Sequence, residues 1–274
     1  DVLGPFKTPH NDRQEDIEGS IPHLHRARPA NLDYTKLQEK MGYIPLALVK
    51  ETIRRSTQLA TTSKRMPLRR HIKSRFSMLR RKRLNEVVAI DALFSDIASV
   101  EGYTCSQVFF GCSSRIVEVY GMKSKSKFPD VYTDFMREIG IPHTLRRDNA
   151  LEEDSFKVRQ MNRENIVMDE YTEPKHPQQN PAELNGVKMI KERSLQLMDR
   201  VNAPKQTWFL AQRYVADIYN ITSNTQLNNK VPKEVATGET QDISHVLLYR
   251  FFEPIYYYAN EITYPSSKEE AGYF

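Results

Sequence analysis

The chain holds 274 residues and 32.0 kDa, room for one large domain, or an ordinary one with extensions at both ends, and too much for a miniature scaffold. Its 39% hydrophobic, 10% aromatic and 27% charged residues exclude a wholly disordered chain, a collagen and a coiled-coil rod. Its net charge of +5 joins two unlike parts, because residues 1–85 carry 19 Lys/Arg against 8 Asp/Glu while residues 86–274 carry 21 against 27.

No run reaches the ~18 apolar residues of a bilayer span, and the first residues lack a basic-then-apolar signal peptide. The reading is therefore of no membrane partner. Cys105 and Cys112 are too few for a disulfide framework or a four-cysteine zinc site, which points to a reducing compartment. A chain without an initiator Met reads as a piece of something longer.

In chain order, residues 1–30 are polar, broken by Pro5, Pro9, Pro22 and Pro29, and read as a poorly ordered lead-in. Residues 31–85 form a basic helical extension and linker. The recurrence of Leu46, Val49 and Ile53 predicts a short helix within 31–58. From Arg54 to Arg83 there are twelve basic residues and no acid, a block that repels itself and calls for an anion. Nucleic acid is the commonest one, since each phosphate neutralised releases counterions; a solvated tail or nuclear-import signal is the plainer use. Arg69, Arg70, Lys73, Arg80, Arg81, Lys82 and Arg83 are its candidate contacts.

Residues 86–225 read as the core domain. Val87 to Phe94 is apolar on both faces, as in a strand buried within a sheet. A hairpin follows, with arms at 104–110 and 115–122. A helix carrying Phe128, Val131, Tyr132, Phe135 and Ile139 stops at Gly140. Then come a strand at 144–147, a polar helix at about 154–164, a strand at 167–171, a long helix from Pro181 and another over 208–221. The expected class is α/β, a mixed five-stranded sheet flanked by helices. Residues 226–274 read as a small C-terminal extension of short strands and loops.

Three carboxylates stand out. Asp91 interrupts the apolar strand, where a charge needs a cation or several donors. Asp148 ends the next strand, where sheets open to their clefts. Glu183 lies on the first turn of the long helix, and steps of four, three and four to Val187, Ile190 and Ser194 predict that it shares the face docked on the sheet. Together they would repel unless a divalent cation neutralised them, and oxygen ligands favour Mg²⁺ or Mn²⁺. Each has an ordinary explanation as well: a turn or cap at Asp148, a partner such as Arg146 or Arg147 for Asp91, and a capping box Asn180-Pro181-Ala182-Glu183.

These segments, Val88-Ala89-Ile90-Asp91, Leu145-Arg146-Arg147-Asp148-Asn149 and Thr172-Glu173-Pro174-Lys175-His176-Pro177-Gln178-Gln179-Asn180-Pro181-Ala182-Glu183, followed by Val231 to Gly238 and Asp242 to His245, resemble the integrase of copia-like retrotransposons. That family belongs to the retroviral integrase superfamily, and the resemblance implies a ribonuclease-H-like catalytic core. The 34 residues between Asp148 and Glu183 approach the family's gap between its last two acids. The implied activity is joining the 3′ ends of element DNA to target DNA with two Mg²⁺ (or Mn²⁺) ions held by Asp91, Asp148 and Glu183. Gln178, Gln179 and Asn180 match a loop that approaches DNA, and loop polarity and capping explain them equally well. The likeness further implies a homo-oligomer acting in the nucleus, made in the cytoplasm within a polyprotein.

The chain also departs from the pattern. His23 and His25 have no downstream cysteine pair, so no zinc is expected. Gly186 stands where a helix interior loses ~1 kcal/mol relative to Ala. Two further readings stay open: a decayed or repurposed integrase that binds nucleic acid without catalysis, and a nuclease that cuts without joining.

Overall fold

A computed structural model describes residues 33–57, 82–148, 155–172, 180–238, 240–243, 246, 248–258 and 269–274. The chain begins with two short helices, α1 (Tyr34–Lys40), capped by the Asp33 carboxylate, and α2 (Leu46–Arg55). The single helix expected within 31–58 is broken because Gly42 and Tyr43 both take positive φ, at 65° and 61°. Leu37, Met41, Val49 and Ile53 bury against Ile218 and Ile221, with Ile243 and Val246 closing the cluster.

Strand β1 (Arg83–Phe94) is central and longer than its apolar run. Its first four residues alternate exposed and buried, and the run covered from both sides is Val88–Ile90. The hairpin β2 (Cys105–Gly111) and β3 (Val117–Met122) pairs antiparallel to it, and β4 (Ile141–Arg147) and β5 (Met168–Tyr171) pair parallel. The order across the sheet is β3-β2-β1-β4-β5. Parallel neighbours need crossovers; α3 (Phe128–Glu138) and α4 (Phe156–Asn165) supply them on one face. There Val88, Ile90, Phe109 and Leu145 meet Phe128, Tyr132, Phe135 and Val158, with Phe109 stacked on Phe135 at 4.3 Å.

Opposite residues of the same strands, Ala89, Val108 and Phe110, face α5 (Lys188–Val201) and α6 (Trp208–Ile221) through Ile190, Leu197, Trp208 and Phe209. A short helix, α7 (Pro232–Thr237), follows, then the separate two-stranded sheet of β6 (Pro254–Tyr258) and β7 (Glu269–Tyr273). The α7 segment was expected as strand or loop, although Pro232 at its first position and Gly238 beyond its end are helix start and stop residues.

Candidate active site

The parallel register sets Ala89 beside Arg146. Continuing that register by two residues sets Asp91 level with Asp148, the residue just past the end of β4, both on the Ala89 side because side chains alternate with a period of two. That face is the one covered by α5, and the long helix enters it through a π-helical segment, Ala182–Val187, which holds Glu183. The sequence thereby aims three acids from three elements at one end of the sheet.

Two details seat the helix. Asn180, 4% exposed, donates from Nδ2 to the Ile90 carbonyl at 3.1 Å and accepts the Ala182 N–H at 3.0 Å. It ties the helix start to the residue before Asp91. Gly186 lies so close to β2 that a Cβ would stand 3.1 Å from Val108 Cγ1, so the helix-propensity loss at this position permits close packing.

The π turn also corrects the docking face expected for Glu183. Wider spacing rotates the helix so that Ala182, Gly186, Ile190 and Ser194 are buried, while Glu183 is exposed beside that face. Single π turns frequently mark functional sites, and here the turn leaves a carboxylate open to solvent.

Electrostatics ties the acids together. Asp91, half-buried, accepts the Ala92 N–H at 2.8 Å. Burial pushes its carboxyl up to about 6, and repulsion from Glu183 and then Asp148 adds to the rise. Lys125 pulls the other way; it lies over the Phe94 ring at 4.8 Å. Sequence reasoning passed over Lys125, and its signal was the alternation Lys123-Ser124-Lys125-Ser126-Lys127. Arg146 and Arg147, considered as partners for Asp91, reach Glu170 at 2.9 Å and Asp169 at 2.7 Å. Among the described residues, no three His, Cys, Asp or Glu side chains gather tightly enough to hold a metal ion as they stand. The donor set is nonetheless all carboxylate, chemistry that suits a hard divalent cation.

Of the expected DNA contacts, Arg69, Arg70, Lys73, Arg80, Arg81, Gln178 and Gln179 lie outside the described residues. Asn180 is buried in the capping and tying role just described. Lys82 donates to the Thr237 carbonyl at 3.1 Å, and Arg83 to the Asn165 and Ile166 carbonyls, both at 2.9 Å, where α4 ends. A cation there satisfies orphan carbonyls and opposes the helix dipole. At ~3.3 Å per residue, Arg83 is ~26 Å along β1 from Asp91, so these two residues serve the far end of the sheet.

A mixed sheet with this strand order, two antiparallel and two parallel pairings and helices on both faces is the ribonuclease-H-like fold. Solved structures similar to the chain include the HTLV-2 integrase catalytic core domain in complex with magnesium. Its dimeric form is 15% identical, over 57% of this chain and 97% of that one, with a TM-score of 0.42; its trimeric form is 11% identical, over 56% and 97%, at 0.44. The catalytic core domain of BIV integrase is 12% identical, over 56% and 95%, at 0.45. No protein-family model and no curated protein matches the chain.

Proposed function

We propose that this chain is the catalytic core of a polynucleotidyl transferase, an integrase of the copia-like retrotransposon kind that joins 3′ ends of element DNA to target DNA. One observation carries the reading: Asp91, the acid that interrupts the apolar run of the central strand, is raised by burial and lies in the repulsive field of both Glu183 and Asp148. A perturbed acid facing two others at a sheet end favours function over stability.

In this reading Asp91, Asp148 and Glu183 would hold two Mg²⁺ or Mn²⁺ ions. Bound there, such ions supply Lewis-acid charge that lowers the pKa of an attacking 3′-hydroxyl or water and stabilises the leaving oxygen. The protein's own residues set the stage. Asn180 and Gly186 fix the entry of the helix, the π turn keeps Glu183 exposed, and Lys125 adds positive charge beside Asp91 where a DNA phosphate would sit. Element ends and target DNA are the partners, the working form is a homo-oligomer, and the nucleus is the place of action.

Asp148→Asn is expected to abolish strand transfer in Mg²⁺ while salt-sensitive DNA binding stays nearly intact. Joining that survives the substitution contradicts the assignment. The looseness of the acids among the described residues favours a second reading, a repurposed integrase that binds nucleic acid without catalysis. Calorimetric titration with Mn²⁺ separates the two: heat that disappears in Asp91→Asn supports the enzyme, and no heat from the unaltered chain supports the binder.

A further inference from the structure

A second site lies on α5, away from the three acids. A cavity of about 230 Å³ opens between the α1–α2 turn and α5, lined by Gly42, Tyr43, Ile44 and Pro45 on one side and by Arg193, Gln196, Leu197 and Arg200 on the other. Spacings of three and four along α5 set Arg193, Gln196 and Arg200 on one stripe. Leu197 beside them is buried, which anchors the stripe against the body of the protein. No Asp or Glu lines the cavity.

Among the described residues neither arginine has a carboxylate within 4.0 Å, although Arg137, Arg146, Arg147 and Arg250 all do. The Arg200 guanidinium lies over the Tyr43 ring at 4.7 Å, which orients its plane and leaves its N–H edge for an acceptor. Pro45, at the cap of α2, offers no side-chain oxygen to compete. Two guanidinium groups and an amide converge on one cavity without an internal anion, and planar guanidinium forks match phosphate oxygens bidentately.

We propose that this cavity binds a backbone phosphate of the DNA on which the active site works, a contact that rests on the polynucleotidyl transferase reading. Along α5, at 1.5 Å per residue, Arg193 and Arg200 stand ~15 and ~25 Å from Glu183. With one phosphate per ~3.4 Å of strand, that distance corresponds to a phosphate roughly four to seven nucleotides from the reacting one. The site would hold the duplex in register whatever its sequence, because phosphate contacts position and base contacts specify.

The test uses the full chain in EDTA, with binding of a labelled duplex followed by fluorescence anisotropy across a salt series. Each lost phosphate contact lowers the slope of log affinity against log salt by ~0.9. Arg193→Gln with Arg200→Gln is expected to lower the slope by about one, and Arg193→Lys with Arg200→Lys, which keeps the charge, to restore most of it. An unchanged slope in the Gln pair overturns the proposal. So does saturable binding of inorganic phosphate that the Gln pair abolishes while the DNA slope stays put, since it would mark a small-anion site. Should the Gln pair fail to fold by circular dichroism, Arg193→Gln alone carries the same test. Absence of joining by the unaltered chain in Mg²⁺, with the slope still lowered in the Gln pair, speaks against the catalytic reading and not against the cavity.

Discussion

On β4, Arg146 and Arg147 are followed at once by Asp148, yet these neighbours enter charge clusters of opposite construction. Arg147 is fully buried and reaches Asp169 at 2.7 Å and the Tyr171 hydroxyl at 2.8 Å. Asp169 also accepts from Asn162 Nδ2 at 2.7 Å, and Asn162 in turn accepts the Tyr132 hydroxyl at 2.9 Å. Attraction and hydrogen bonds hold that network together. Asp148, one residue on, joins Glu183 in opposing the charge on Asp91. The paired cluster stabilises the fold, whereas the burial and mutual repulsion of the acidic one cost it stability.

Breaking the paired cluster has the largest expected effect. Arg147→Met strips Asp169 of its cation and should cost about 3 kcal/mol in denaturant unfolding, with Asp169→Leu in the same chain recovering much of the loss. Recovery fails if Arg147 does more than balance that charge. Next comes the helix seat. Gly186→Leu forces a side chain against Val108 and should destabilise by about 1–3 kcal/mol, while moving Glu183 and so lowering the pKa of Asp91.

Glu118 on β3 sharpens the contrast from a third position. Burial pushes its carboxyl up to about 8, with Asp217 and Glu138 adding repulsion. A raised acid pKa means that the native state binds the proton more tightly than the unfolded chain, so stability falls as pH rises from about 4.5 to about 8. Glu118→Gln should remove that fall, and melts at pH 5 and 8 should then differ by about 1–2 kcal/mol less than in the unaltered chain.

The smallest expected effect is the most telling about the acids. Asp91 has the same sign in a lower window, losing stability between its usual 3.8 and about 6. Asp91→Asn should therefore stabilise the protein by about 1 kcal/mol at pH 7, with the gain vanishing below about pH 4. A substitution that destabilises at neutral pH would place Asp91 among the supporting residues.

The strands and helices of the sheet were legible because burial on both faces leaves continuous apolar runs, as in Val87 to Phe94, and because Gly140 marks a helix end. The polar start of β1 was not, since Arg83 and Asn85 point to solvent and leave only a short alternation. Helical spacing brought Glu183 to the sheet but put it on the docking face, because a π turn shifts that face by part of a residue and has no sequence mark of its own. Gly186 looked like a defect until its distance to Val108 was visible. The pair Arg193 and Arg200 was hidden for another reason: their significance lies in the cavity wall contributed by residues 42–45, some 150 residues earlier.

The most direct test of the acidic cluster is the titration of the Asp91 carboxyl, followed by carbon-detected NMR in the unaltered chain, in Asp148→Asn and in Glu183→Gln. If the three acids share one site, the value near 6 falls in both variants, because each removes a repelling charge. A pKa that neither substitution moves would mean that burial alone acts on Asp91 and that the three carboxylates do not form a common site.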